Sequence, residues 1–476
     1  MPKHIPKVCK EFTEYTSMHG IGRIGSGLFI IQKIGWLILF CISIGYCLFQ
    51  TYTLYQQYLS EPTNTIIKNE YGQIEFPKVS FCNLSPMKFS KMLTYENLFK
   101  IINETATLTG VDMLDFGTNV EKYLNLYQFS GLLGIESTSD ARNMFYQRMG
   151  ELSLTNLVEL SPKKKEFIIS CEYQGRPCLL NDVTAYRDEF YGICYRFIPS
   201  ERNSVVSPGP QGGLTLTLNV DQQEYIPFIA GSAGVIMDIT RNEEDMENRI
   251  PSMRRTGTLL SPNVETYIAL SSVENIRIPG TEKKCADGLD NDVAECIEYC
   301  VGMAAAKISG CAHEYTFIGD QALCSSLKEI ESNEYARMNL DISTLCSHCK
   351  IPCKELIYEK TLSMTTWPID SYIPILKQQL KENGVNISQM DELDTSSYMK
   401  LHVFFSTLST TMIKEEESYT FENFLSDIGG QLGLWAGISV LSLAEVVELL
   451  VLIVVGFFTR RNKTSTSTEA EKDLKW

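Results

Sequence analysis

The chain has no Gly-x-Ser-x-Gly elbow and no His-Glu-x-x-His pair, so the commonest sequence signs of a nucleophile or a catalytic metal are missing and an ectoenzyme has no visible site. Internal repeats and long low-complexity stretches are absent too, which sets aside repeat arrays and disordered linkers. Positive charge is in deficit: 42 Lys and Arg stand against 58 Asp and Glu, and the net −16 argues against nucleic acid as a partner. Charge of either sign is absent from Ile34 to Tyr55. Soluble helices seldom stay uncharged for so long, and the run is enough to cross about 30 Å of hydrocarbon.

What is present is strongly segregated. A second apolar run, from Ile428 to Phe458, is interrupted only by Glu445 and Glu448. No signal-peptide pattern with a small-residue cleavage site precedes the first run. Residues 1–33 carry five Lys/Arg against two Glu, and residues 459–476 carry five against three acids. Both flanks are positive, and two spans place both on one side, the cytoplasm. The expected organisation is a multi-pass plasma-membrane protein embedded in lipid. Its parts are a cytoplasmic segment 1–33, a transmembrane helix 34–55, an extracellular domain 56–424, a transmembrane helix and pore 425–458, and a cytoplasmic tail 459–476. The extracellular part carries −18, which would concentrate cations near it.

The cysteines agree with this topology. Of 15, Cys9 is cytoplasmic, Cys41 and Cys47 fall in the first span, and the other 12 lie outside, an even set that reads as six disulfides. Cys296 and Cys300 are one helical turn apart, and Cys346, Cys349 and Cys353 return with similar spacing. Antiparallel packing of these segments would nest Cys285–Cys353, Cys296–Cys349 and Cys300–Cys346, with Cys311–Cys324 closing the hairpin. A zinc site at Cys346, His348, Cys349 and Cys353 is the rival, disfavoured by an oxidising compartment, so neither metal nor cofactor is expected. Sequons at Asn83, Asn103 and Asn386 are expected to carry glycans, whereas Asn462 lies on the cytoplasmic side. Period-two patterns predict strands at 75–82, 213–220, 264–273 and 398–408, and helical patterns occur near 87–103, 140–150, 293–308 and 370–383. Without regular βαβ alternation, the fold class is membrane α+β: two transmembrane helices flanking a disulfide-rich domain with a central, largely antiparallel sheet.

Several motifs occur in order along the chain. His19-Gly20 precedes the first span, and Phe76-Pro-Lys-Val-Ser-Phe-Cys82-Asn83 follows it. Tyr191-Gly-Ile-Cys194-Tyr195, Gly213-Leu-Thr-Leu-Thr-Leu-Asn219 and Thr366-Trp367-Pro368 come next, and Ser426-Asp-Ile-Gly-Gly-Gln-Leu-Gly-Leu-Trp-Ala-Gly437-Ile438-Ser439 opens the second. Together they resemble the degenerin/epithelial sodium channel family. The resemblance implies a trimer, homomeric or assembled with related subunits, whose extracellular domain has palm, finger, thumb, knuckle and β-ball parts. It also implies the bridges Cys82–Cys194 and Cys171–Cys178. Members with seven extracellular bridges have two further cysteines near the thumb hairpin, which this chain lacks.

Gly429, Gly433 and Gly437 recur every fourth residue, a small-residue stripe on a helix. By resemblance, Gly437, Ile438 and Ser439 form the selectivity filter, with extended backbone interrupting the helix and carbonyls replacing part of an ion's hydration shell. Ser426 falls at the position where bulky side chains hold members open, Asp427 at the outer mouth where calcium would bind, and Gly433 at a position linked to amiloride block. His19 and Gly20 would line the cytoplasmic end on a re-entrant segment. Independently of any family, Glu445 and Glu448 are costly in lipid unless they face water or a partner. On one continuous helix they are about 60° apart, with Glu448 about 20° from the face of Gly437. Both would then ring a watery axis, attracting sodium and other cations; a structural acid bonded to a neighbouring helix is the alternative.

No motif names the opening stimulus. The central part has three histidines, His313, His348 and His402, and none precedes the FPKVSFC strand. The turn 278–284 before Cys285 also lacks the aromatic that acid-sensing members place there. Short tails and an Ile/Lys/Asn-rich composition are closer to invertebrate neuropeptide-gated members, so an extracellular neuropeptide is the expected ligand. Proton gating, mechanical gating and a constitutive sodium leak are the alternatives within the family, and a two-span receptor without a pore is the alternative outside it. Neutralising Glu448 (E448Q) is expected to lower cation conductance or alter divalent block; unchanged conductance and selectivity would remove it from the pathway.

Overall fold

Leu214, Leu216 and Leu218 alternate with Thr215 and Thr217, and an extended chain with that pattern has one apolar and one polar face. In the computed structural model the three leucines are buried in the core between two sheets, and the threonines face the other way. The described residues are 11–26, 29–96, 98–100, 145–146, 148–150, 152–188, 190–201, 203–226, 231–241, 253–279, 285–286, 293–312, 324, 327–382 and 394–470. Asn103, Asn386, His313, the end of the helical pattern at 87–103 and about half of that at 140–150 lie outside them. The chain divides into a central unit, Ile66–Lys414, and a terminal unit made of Met1–Thr65 and Glu415–Trp476.

Within the strands, chain order runs β1 (Thr63–Tyr71), β2 (Lys78–Asn83), β3 (Ile168–Tyr173), β4 (Arg176–Pro177), β5 (Val183–Asp188), β6 (Gly192–Phe197) and β7 (Leu214–Asn219). There follow β8 (Val235–Thr240), β9 (Thr258–Leu260), β10 (Val264–Ile276), β11 (Cys285–Ala286), β12 (Ile351–Pro352), β13 (Lys354–Thr366) and β14 (Tyr398–Glu417). A seven-stranded sheet has the order β13-β10-β14-β7-β3-β4, with β1 also pairing β14. A five-stranded sheet has the order β5-β6-β2-β8-β9. The expectation of a largely antiparallel sheet is met, with β10 and β14 as a parallel pair. Phe76, Phe81, Tyr173, Phe197 and Phe405 fill the core. Aromatic contacts at 4.9 and 5.3 Å, Phe76 to Tyr173 and Tyr173 to Phe197, tie its middle together.

The other side of the large sheet is polar. His402 on β14 stacks on Tyr267 of β10 with ring centroids 4.5 Å apart. One ring nitrogen is 2.8 Å from Glu265 Oε1 and the other 3.0 Å from the Thr215 hydroxyl. A neutral imidazole satisfies both, donating to the carboxylate and accepting from the hydroxyl. Lys400 Nζ lies 3.1 Å from the same Glu265 oxygen.

All six expected disulfides are present: Cys82–Cys194, Cys171–Cys178, Cys285–Cys353, Cys296–Cys349, Cys300–Cys346 and Cys311–Cys324. The zinc alternative therefore falls, since Cys346, Cys349 and Cys353 have no thiolate to offer. Cys296–Cys349 and Cys300–Cys346 join the helix Val293–Ser309 (α2) to the segment before β13, Cys285–Cys353 ties β11 to the same segment, and α2 packs on the helix Leu327–Met338 (α3). Trp367 is buried with Leu376 and Leu380 of the helix Ile373–Glu382 (α4). A glycan at Asn83 is excluded by the fold. The residue is 5% exposed, its Nδ2 donates to the Val220 carbonyl at 2.9 Å, and its Oδ1 accepts from Tyr225.

The terminal unit holds the helix Ile30–Leu59 (α1 by chain order), which extends past both ends of the expected span 34–55. Two further helices follow β14, Phe421–Ala436 (α5) and Val440–Ala470 (α6). The single helix expected over 425–458 is thus two, bent by 71° at a short break. Among the described residues α1 alone is long and apolar enough to cross a membrane, and α5 with α6 qualify only as one bent span. α1 packs on α5 through Tyr58 stacked on Phe424 at 5.0 Å and Tyr46 against Trp435 at 4.7 Å.

Burial pushes the His402 pKa down; the bond to Glu265 opposes this and Lys400 adds to the depression, so the net shift is downward. Burial alone would raise Glu265, but hydrogen bonds from His402 and Lys400 outweigh it and hold its carboxyl below the ordinary range. Unfolded histidine takes up a proton near pH 6.5 that the folded ring resists, so stability falls as pH drops below that value. The contribution of Glu265 is lost further down, as pH falls through its depressed pKa. Melting temperatures of the purified chain from pH 7.5 to 5.5 should fall less steeply in His402→Gln than in the parent; equal slopes would overturn the assignment.

Candidate functional site at a helix break

A helix that stops and restarts leaves carbonyls at its end and amides at its new start without partners. The break between α5 and α6 contains the filter residues expected from sequence, Gly437, Ile438 and Ser439. Gly437 is the left-handed cap of α5, at φ 63° and ψ 25°, and so departs from the extended backbone expected there. Its amide bonds to the Gly433 carbonyl at 3.1 Å, and that of Ile438 to Leu432 at 3.1 Å, folding the chain back over the last turn. Ser439 caps α6, its hydroxyl accepting from the Ser442 amide at 3.2 Å.

What completes the break is the segment 16–19. The His19 amide donates to the Ala436 carbonyl at 3.1 Å, satisfying one of the orphaned groups at the end of α5. Ser17 and Ser442 hydroxyls lie 2.6 Å apart, and Ser442, fully buried, also meets the Ser439 hydroxyl at 3.2 Å. One turn further along α6, Glu445 Oε2 accepts from the Thr16 hydroxyl at 2.9 Å and the Ser17 amide at 3.0 Å. The His19 ring packs so close to Gly437 that a β-carbon there would lie 2.0 Å from Nδ1. Gly20, at φ 88°, turns the chain beside Phe40.

The residues singled out in sequence therefore divide. His19, Gly20, Gly437, Ser439 and Glu445 come together around the break. Glu445 is bonded within the protein, as in its alternative reading, but to the non-helical residues Thr16 and Ser17 rather than to a neighbouring helix, while Glu448 is exposed on α6. The angular relation of Glu448 to Gly437 fails, because it assumed one straight helix. Gly437 likewise leaves the helical stripe; Gly429 and Gly433 stay on α5 with open space around them. Ser426 is exposed, and Asp427 accepts from the Tyr419 hydroxyl at 2.7 Å. Thr16, Ser17 and Ser442 were missed. The three-residue spacings Ser439 to Ser442 and Ser442 to Glu445 were the available signal, since they line one helical face.

A sequence profile described as amiloride-sensitive sodium channel matches residues 12–449. Epithelial sodium channel subunit alpha of Neoceratodus forsteri is 24% identical, the alignment covering 97% of this chain and 82% of that protein. Acid-sensing ion channel 1A of Danio rerio is 25% identical, covering 94% and 88%. Bile acid-sensitive ion channel of Rattus norvegicus is 24% identical over the same shares, 94% and 88%.

With cysteines in place of Ser17 and Ser442, mild oxidation should cross-link the two positions, read by peptide mass mapping. Adding Gly437→Ala, which costs about 1–2 kcal/mol for left-handed backbone and collides with His19, should abolish the cross-link. No cross-link in the Gly437 parent would overturn the docked arrangement.

Proposed function

The chain belongs to the amiloride-sensitive sodium channel family, and from that premise we propose that it is one subunit of a trimeric, sodium-conducting channel of the plasma membrane. In this reading α1 and the bent pair α5–α6 cross the membrane, both termini are cytoplasmic, and residues 56–424 are extracellular. The observation that carries it is the closure of the α5–α6 break by residues 16–19. An irregular stretch of backbone survives in apolar surroundings only where protein covers it or water lines it. Here one side of the break is covered by the chain's own segment, and the other is left for an axis shared with neighbouring copies.

The bare faces of Gly429 and Gly433 suit close approach of further subunits, identical or related. Repeated around that axis, the carbonyls at 437–439 supply oxygen ligands, and the exposed Glu448 supplies an inner ring of negative charge that draws cations and rejects anions. Glu445, bonded to Thr16 and Ser17, anchors the segment that lines the inner end. Asp427 marks the outer mouth, where calcium would bind, and Gly433 the place for amiloride. An extracellular neuropeptide is the proposed opening ligand, acting through differential affinity for closed and open states. Opening by acid is the second reading, favoured by the buried His402 beside Tyr267 and Glu265.

Currents from cells expressing this chain, alone and with related subunits, test the proposal under steps of acid and applications of amidated peptides. An evoked inward current that vanishes when external sodium is replaced by a large organic cation, and that amiloride blocks, is expected. A current indifferent to that replacement would sink the sodium assignment. Opening by acid with no response to any peptide would transfer the trigger to protons.

A further inference from the structure

Neither cysteine is buried in two of the six bridges, Cys171–Cys178 and Cys296–Cys349. In each of the others at least one partner is buried: Cys82 and Cys194, Cys311 and Cys324, Cys346, and Cys353. Accessibility to a thiol therefore selects two candidates. A second feature separates them. A ring nitrogen of His348 and the sulfurs of Cys296 and Cys349 all lie within 4.8 Å of one another, the one such grouping among the described residues. His348 is exposed, and Lys350 follows one residue after Cys349. Bridged sulfurs carry no thiolate charge and hold no metal ion, so the meaning of the cluster is sought in the bridge itself.

Thiol–disulfide exchange is governed by access to one sulfur and by how well the other leaves as a thiolate. A cationic or proton-donating neighbour stabilises that thiolate. We propose that Cys296–Cys349 is a reducible bridge, opened by small soluble thiols such as cysteine or glutathione, with His348 assisting the departure of Cys349. A thiolate of the reagent attacks Sγ of Cys296, forming a mixed disulfide there. The Cys296–Cys349 bond breaks, its electron pair passes to Cys349 Sγ, and that sulfur takes a proton from the His348 ring. A second reagent thiolate attacks the reagent sulfur of the mixed disulfide and releases Cys296 as a thiolate, which takes a proton from water. Two reagent thiols are oxidised to one disulfide, and one protein bridge is reduced to two thiols.

Opening this bridge leaves Cys300–Cys346 and Cys285–Cys353 on either side of it, so α2 stays attached while its first turn is released from the segment leading to β13. The middle bridge of the nest is thereby the adjustable one. Exposure of this bridge to extracellular thiols rests on the proposed placement of residues 56–424, whereas its chemistry does not.

The purified full-length chain, treated with limiting glutathione, alkylated and mapped by mass spectrometry, supplies the test. Cys296 and Cys349 should be labelled first, ahead of the likewise half-buried Cys171 and Cys178. In His348→Gln the Cys296–Cys349 bridge should open roughly tenfold more slowly, with Cys171–Cys178 unchanged. Earlier opening of any other bridge would overturn the proposal, as would an unchanged rate in His348→Gln. Labelling reads the bridge and not a current, so the result stands apart from whether the chain conducts.

Discussion

Peptide groups set the terms of this molecule's terminal unit. Where α5 ends at Ala436 and α6 begins at Val440, carbonyls and amides lose their helical partners, and beyond the Ser439 and Ser442 hydroxyls the apolar flanking helices offer few side chains in their place. The chain solves this from its other end, with the His19 amide on Ala436, Ser17 on Ser442, and Thr16 with the Ser17 amide on Glu445. Each contact constrains the next. Ser442 must be small and buried to meet two hydroxyls at once. Gly437 must be glycine twice over, for its left-handed backbone and for the imidazole lying against it. A carboxylate that would be a liability on an apolar helix becomes an anchor because three-residue spacing turns it toward the same segment.

The central unit rests on a different economy of surfaces. Its seven-stranded sheet uses one face for the apolar core and the other for a polar cluster in which Tyr267, Glu265, Lys400, His402 and Thr215 satisfy one another. The register of β7, β10 and β14 makes both faces at once, since moving any strand by one residue would exchange them. Disulfides then hold what the sheets cannot. Cys82–Cys194 joins cysteines 112 residues apart, and the nested bridges hold β11 and α2 against the approach to β13.

Much of this was legible in the sequence, for identifiable reasons. The nested bridges followed from cysteines one turn apart, because a helix leaves few ways to face a partner. The strand at 214–219 followed from strict alternation, and β14 was recognised over its first half, where alternation is clean. The helix break was not legible from periodicity, since Gly-Ile-Ser is compatible with a continuing apolar helix; only resemblance to a family placed an interruption there, and even so the left-handed turn differs from the extended backbone implied. Thr16 and Ser17 carried no pattern, because a lone hydroxyl gains its meaning from a partner more than 400 residues away. The sequon at Asn83 misled for the same reason: its side chain is claimed by Val220 and Tyr225, residues that a three-letter motif does not see.

The docking of residue 16 onto residue 445 spans 429 positions of sequence. On a ribosome adding roughly 5–20 residues per second, the first partner waits on the order of 20 to 90 s for the second to be made. Residues 16–19 therefore wait through the synthesis of the central unit for their partners on α5 and α6, and the break between those helices is covered only after both have been made. A nascent chain that stops short of Glu445 has every disulfide-forming cysteine of the central unit but leaves this opening segment undocked. The site is thus complete only after synthesis has passed Glu445, so the docked segment marks a chain whose central unit has already been made.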